Sequence, residues 1–347
     1  MALGGGEHYT HLETISVVLS EANDPADPPV LLSGSSIPEL STEVARLLGV
    51  SLLERRIERF PDGEMYVQLG ESVRGRDAFV LQSTCVPVNE HVFELLLLLD
   101  TLRRANAGRL TAVMPYYGYA RQERKSTGRE PITAKLVANL LVAAGADRVL
   151  TMDLHSPAIQ GFFDIGMDHL QSIPLLATYL KPRIPRDSVL VSPDTGGVKR
   201  TDFFASLLGL PIAILHKRRA SANEVAIVAV VGDVRGKTPI IVDDIIATGV
   251  TIRQAVDTLV REGANPAARV VATHGVFAGD ASRILNHPAI HEIVVTDTIP
   301  IPSAVRHALP RLHVVSVAEL LAAAIRRLHS GHSLSELFAR EGGAPPV

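Results

Sequence analysis

Short apolar runs at 30–32, 78–81, 110–114 and 149–152 alternate with longer amphipathic stretches at 39–48, 92–104 and 132–144. Runs of three to five apolar residues, rich in β-branched types, fit strands covered on both faces, and the stretches between them place apolar residues at helical spacing. The alternation therefore predicts parallel strands joined by crossover helices, an α/β chain of mostly parallel sheets flanked by helices. The device recurs. Residues 132–155 read as helix, Gly145-Ala146, strand and terminal His155, and residues 251–274 read as helix, Gly263-Ala264, strand and terminal His274. Two similar domains are expected, although any pair of βα units shares this much.

The 347 residues suit two domains, each of about 150 residues and able to bury roughly 70% of its unfolded surface. The expected division is a loose extension at 1–28, a first domain at 29–170 and a second at 171–340. The border falls within 168–173, before the Pro-bearing segment 181–186. The first 28 residues lack the basic start and apolar core of a signal peptide, and 341–347 lacks periodicity and should fray. No stretch reaches the ~18 apolar residues of a membrane span. With 46% apolar and 20% charged residues the composition is globular, and a net charge of −3 argues against nonspecific nucleic-acid binding. An anionic substrate must then be gripped by local Arg and Lys clusters. The lone Cys85 forbids an internal disulfide, favours a cytoplasmic setting and reads as a small apolar residue.

The chemistry concentrates at 238–252. A strand is expected at 239–242 with the adjacent carboxylates Asp243 and Asp244 at its carboxyl end; Thr248, Gly249 and Thr251 form a hydroxyl-and-glycine turn, and 251–262 has helical spacing. Backbone N–H groups at a helix start suit a phosphate, and paired carboxylates suit sugar hydroxyls and an accompanying cation. A phosphorylated sugar is the reading, beside an ordinary βα turn whose Asp and Thr residues cap the helix. The segment Gly232-Asp-Val-Arg-Gly-Lys-Thr238 is not a P-loop, because three residues separate its glycines where four are needed and a strand follows it. No Gly-x-Gly-x-x-Gly occurs either.

The stretch resembles the phosphoribosyl-diphosphate (PRPP) loop of type I phosphoribosyltransferases and of ribose-phosphate pyrophosphokinases. The wider chain resembles the pyrophosphokinases through Arg59-Phe-Pro-Asp-Gly-Glu64, Glu71-Ser-Val-Arg-Gly75, Pro115-Tyr-Tyr-Gly-Tyr-Ala-Arg-Gln-Glu-Arg-Lys125, Met152-Asp-Leu-His155, Gly161-Phe-Phe163, Val191-Ser-Pro-Asp-Thr-Gly-Gly197 and His216-Lys-Arg-Arg219. The resemblance implies two phosphoribosyltransferase-like domains. It also implies transfer of the β,γ-diphosphoryl group of Mg²⁺-bound ATP to the anomeric hydroxyl of ribose 5-phosphate, giving PRPP and AMP.

On the same resemblance, ATP lies near Phe60, Asp62 and Glu64 of one subunit and Arg121, Gln122 and Arg124 of another, so the chain self-associates to a dimer or hexamer. Phe60 can stack on a base, Gln122 and the carboxylates can hydrogen-bond it, and Arg121 can fork onto phosphate. His155 and Asp194 match the family's metal positions, each following a strand expected at 149–152 or 189–191. Lys217 and Arg219 match its catalytic loop, expected to be mobile after a strand at 212–215. Asp243 and Asp244 take the ribose hydroxyls, and Thr248, Gly249 and Thr251 the 5-phosphate. The chain departs from the family at Glu123, where Asp is common, at Ala247, where a third acid is common, and at Val250, which replaces a small residue. Were positive φ required at Val250, the loop would have to differ. A noncatalytic regulatory homologue and a base-transferring phosphoribosyltransferase are the alternatives. The end of the chain, 329–338, resembles the phosphate-activated branch.

Overall fold

The computed structural model describes residues 27–219 and 225–338. The first half runs β1 (Val30–Ser33), α1 (Pro38–Leu48), β2 (Arg55–Arg59), β3 (Met65–Leu69), β4 (Asp77–Leu81), α2 (Val88–Arg104), β5 (Arg109–Met114), α3 (Thr133–Ala144), β6 (Arg148–Met152) and β7 (Gly166–Leu170). The second half runs α4 (Ile173–Leu180), β8 (Ser188–Ser192), α5 (Val198–Leu208), β9 (Ile212–Arg219), β10 (Val225–Val231), β11 (Thr238–Ile246), α6 (Val250–Arg261), β12 (Ala268–Gly275), α7 (Ala281–Leu285), β13 (Ile290–Thr296), α8 (Ser303–Ala308), β14 (Leu312–Val315) and α9 (Ala318–His329).

One parallel sheet has the order β1-β4-β5-β6-β7. Successive residues point to opposite faces, so each strand serves two cores. Val30, Leu32, Val80, Ala112 and Val149 pack with Leu95, Leu98 and Leu99 of α2 and Leu141 of α3. Leu31, Phe79, Leu81, Val113 and Leu150 pack with Val44 of α1 and with Leu321 and Ile325 of α9. α9 thus closes the back of the first sheet. Pro38 opens α1 and Gly49, at φ 72°, ends it in a left-handed cap.

The other sheet has the order β10-β9-β8-β11-β12-β13-β14 and is parallel except for the edge pair β10 and β9. From β8 the winding goes outward to β9, then returns to place β11 on β8's other side. The topological switch therefore lies between β8 and β11, where a ligand crevice opens outside the carboxyl ends of an α/β sheet.

The expected strands and helices shift by a few residues, with two larger corrections. β11 does not stop at residue 242 but runs through Asp243 and Asp244 to Ile246, because the ladder to β12 continues from Asp243↔Ala272 to Ile246↔Gly275. β9 likewise continues past residue 215 to Arg219, paired with β10, so Lys217 and Arg219 are strand residues by their backbones. The hairpin β2–β3 and strand β7 had no counterpart in the apolar pattern. Strands end at Leu170 in the first sheet and α4 starts at Ile173. We propose the division at 170/171 on that basis, with α9 crossing it.

Leu321 on α9 is fully buried and Glu319 exposed. Leu321→Ala should lower the urea unfolding free energy by about 2–5 kcal/mol, against less than about 0.5 kcal/mol for Glu319→Gln. A small loss at Leu321 would contradict closure of the first sheet by α9.

Candidate active site

The carboxyl ends of the two sheets face each other across a cleft lined by Tyr116, Tyr117, Ala120, Met152, Asp153, Leu154, His155, Ile245 and His274. Polar bonds hold the faces together. Asp153, with a left-handed φ of 40°, accepts hydrogen bonds from the Ser172 N–H at 2.9 Å and hydroxyl at 2.5 Å, and from the Thr273 hydroxyl at 2.7 Å. His274 Nε2 lies 3.2 Å from the carbonyls of Met152 and Asp153, which only accept, so that nitrogen carries the proton; Nδ1 meets the Thr298 hydroxyl at 2.9 Å. The Tyr116 ring stands edge-on to His274, centroids 5.0 Å apart.

Asp244, next to Ile245 of that lining, is buried at 4% exposure. Its Oδ2 meets His155 Nδ1 at 2.6 Å, from the first sheet, and its Oδ1 accepts from Arg200 Nη1 at 3.2 Å, from α5. Burial alone would raise Asp244, but the His155 hydrogen bond and the Arg200 charge outweigh it and hold the carboxyl well below the usual range. Asp243 is pushed well above it, by burial first and then by the Asp244 charge. Asp244 is therefore the ionised acceptor and Asp243 the member that can carry a proton. The Asp244 hydrogen bond raises His155.

Past the pair, Gly249 takes a left-handed φ of 76° and caps α6. A Cβ there would come within 2.8 Å of Leu285, so the position needs glycine on two counts. Val250 is not strained: it occupies the first helical position, 44% exposed. No side chain caps this helix, and the N–H groups of its first turn stand beside the exposed Thr248 and Thr251. That is an anion-binding end.

Asp194 follows β8, and its Oδ1 accepts from the N–H groups of Gly196 and Gly197 at 2.9 and 3.0 Å. Its other oxygen and His155 Nε2 have no hydrogen-bond partner among the described residues, so each has one donor atom to offer. No group of three or more His, Cys, Asp and Glu gathers as a metal cage among those residues. A cation held by these two alone would need its remaining oxygens from ligand and water, a pattern that suits Mg²⁺.

Arg121 and Glu123 come near enough to act electrostatically on His155. Gln122 accepts from the Thr133 hydroxyl at 2.6 Å, and Arg124 is 3.5 Å from Glu123. Phe60, 49% exposed, tilts against Tyr66 at the hairpin turn, where Asp62 accepts the Glu64 N–H at 3.1 Å. Among the described residues no hydrogen bond or ring contact joins Phe60, Asp62 or Glu64 to Arg121, Gln122 or Arg124. The side chains of Lys217 and Arg219 lie outside the described residues. Cys85 is buried, which pushes its thiol up to about 11. Arg200, Asp153 and Tyr116 were missed as site residues. The one available signal for Arg200 was its place in the helical turn after Asp194-Thr-Gly-Gly197.

Burial lowers His274, so the folded state favours its neutral ring. Its contribution to stability is complete above the unfolded value of 6.5 and is lost as pH falls below it. For His155, raised when folded, the contribution is complete below 6.5 and is lost as pH rises through the raised value. Melting temperatures between pH 7.5 and 5 (roughly one unit either side of a histidine's ordinary range) should fall less steeply on the acid side for His274→Gln than for the wild type. An unchanged acid slope would remove His274 from that linkage.

Residues 29–145 match the family model described as the N-terminal domain of ribose phosphate pyrophosphokinase, and residues 219–339 match the phosphoribosyl synthetase-associated domain. A ribose-phosphate pyrophosphokinase of Gloeobacter violaceus is 51% identical over 309 residues, covering 89% of this chain and 92% of the relative. That of Caldanaerobacter subterraneus is 49% identical, covering 89% and 97%. The crystal structure of phosphoribosylpyrophosphate synthetase from Mycobacterium smegmatis superposes with a TM-score of 0.83 at 44% identity, over 88% of this chain and 100% of that one. With the paired carboxylates, the uncapped helix end and the two phosphoribosyltransferase-like sheets in place, the chain belongs to the ribose-phosphate pyrophosphokinase family.

Proposed function

We propose that the protein transfers the β,γ-diphosphoryl group of ATP to the anomeric oxygen of ribose 5-phosphate, giving PRPP and AMP for nucleotide biosynthesis. The observation that carries this reading is the adjacency of a buried and a half-buried carboxylate and an uncapped helix N-terminus on one strand-turn-helix at the switch point. Hydroxyls at one end of the ligand meet acceptors, and a phosphate at the other meets N–H donors. In this reading Asp243 and Asp244 orient the sugar while Thr248, Thr251 and the N–H groups after Gly249 hold the 5-phosphate.

Arg121 and Gln122 grip the nucleotide and Phe60 stacks on its base. The exposure of Phe60 in one chain supports a site completed by a second copy. Lys217 and Arg219 balance charge on the transferring group and on the departing AMP. His155 and Asp194 are the residues that would hold Mg²⁺, which when bound neutralises phosphoryl charge and acidifies the attacking hydroxyl. Holding both reactants in one cleft is the remaining contribution. We place the enzyme in the cytoplasm, with ATP and ribose 5-phosphate as its partners and no membrane or nucleic acid among them. Among the described residues no helix is long and apolar enough to cross a membrane.

Phosphorus NMR of protein incubated with ATP, Mg²⁺ and ribose 5-phosphate should show AMP and PRPP appearing together. Binding without turnover would instead indicate a regulatory homologue, and PRPP consumption with a free base a phosphoribosyltransferase. Lys217→Ala should reduce kcat by about 100-fold or more, the scale of losing one charge-stabilising donor, with ATP affinity nearly unchanged. Asp243→Asn with Asp244→Asn should weaken ribose 5-phosphate far more than ATP in calorimetric titration. In light scattering an active sample should be a dimer or larger, and a fully active monomer would refute the shared ATP site.

A further inference from the structure

The most unusual side chain at the cleft is Arg200. It sits in the first turn of α5, where the helix dipole is positive and disfavours a cation, yet its side chain is only 20% exposed. Asp194 already satisfies the N–H groups of Gly196 and Gly197 before this turn, so Arg200 is not needed as a cap. What offsets its unfavourable placement lies on β11 of the same sheet. Nη1 lies 3.2 Å from Asp244 Oδ1 and 3.8 Å from Asp243 Oδ1. Adjacent strand residues point to opposite faces, so the convergence of both carboxylates on one nitrogen requires Asp243 to fold back. It does so, with its Oδ1 accepting the Asp244 N–H at 2.9 Å. Nε and Nη2 have no hydrogen-bond partner among the described residues.

We propose that Arg200 is a positioning residue for ribose 5-phosphate: one guanidinium nitrogen holds the Asp244 carboxylate and keeps the Asp243 side chain beside it, so that the two meet the sugar hydroxyls as a pair. This rests on the sugar-binding reading of the pair and goes beyond it by assigning what orients them. Removing Arg200 leaves the Asp244 charge with His155 as its remaining ionic partner and frees Asp243 to turn away. The lesion then falls on the sugar and spares the nucleotide. A lysine ammonium keeps the charge but sits on a shorter stem that does not reach where Nη1 stands, so it restores the effect in part.

The test is calorimetric titration of the full chain with ribose 5-phosphate and, separately, with Mg·ATP, for the wild type, Arg200→Gln and Arg200→Lys. Steady-state KM and kcat follow on the same samples. The expected result is a 10- to 100-fold weaker ribose 5-phosphate affinity in R200Q, a smaller loss in R200K and ATP affinity within twofold of wild type. KM for the sugar should rise more than kcat falls. Equal weakening of both ligands, or unchanged sugar affinity in R200Q, overturns the assignment while leaving the proposed reaction intact. Should R200Q not fold, R200K decides alone: sugar affinity equal to wild type refutes the role. A wild type that binds ATP but no ribose 5-phosphate overturns the sugar-binding reading and the role of Arg200 with it.

Discussion

A carboxylate as deeply buried as Asp244 is stable as an ion only with cations at hydrogen-bonding distance, and here they come from opposite halves of the molecule. His155 stands at the end of the first sheet and Arg200 on a helix of the second. The His155 bond therefore does more than settle a charge: it fixes how far apart the carboxyl ends of the sheets stand. Asp153 and His274 do the same deeper in the cleft through hydrogen bonds. Few apolar contacts could set that spacing so narrowly, because dispersion tolerates sliding and a hydrogen bond does not.

The α/β class and the repeated unit are legible in the sequence because strands buried on both faces leave uninterrupted apolar runs. The hairpin of β2 and β3 is less so: Arg55-Arg-Ile-Glu-Arg59 carries a single apolar residue, and although β3 alternates, its inner row of Met65, Val67 and Leu69 is only half-buried. The end of β11 was misplaced for a related reason. Carboxylates usually announce a strand's end, but here the parallel ladder to β12 carries the backbone through both of them. The left-handed residue of the turn is Gly249, so Val250, a source of concern in the sequence, bears no strain.

Within the site, residues that carry a local motif were found and those that act at a distance were not. Asp243, Asp244, Thr248 and Gly249 announce themselves by adjacency. Arg200 is 44 residues from Asp244, and nothing in spacing links them until the fold sets α5 over β11. The same holds for the Asp153 bond to Thr273, which spans 120 residues. Asp194 shows the converse: its motif was read as a ligand, and its geometry adds a second duty as acceptor for two backbone N–H groups.

α9 belongs to the second half by sequence and to the first sheet by packing. During synthesis the first half emerges with one face of its sheet half-covered, Leu31, Phe79, Val113 and Leu150 waiting for a helix that begins 287 residues beyond Leu31 and 168 beyond Leu150. Those four side chains cannot complete their core until residues 318–329 have left the ribosome. A chain interrupted anywhere before that point exposes an apolar sheet face, the surface by which quality control distinguishes unfinished proteins from finished ones. α9 thus makes completeness of the polypeptide a condition for stability of its beginning.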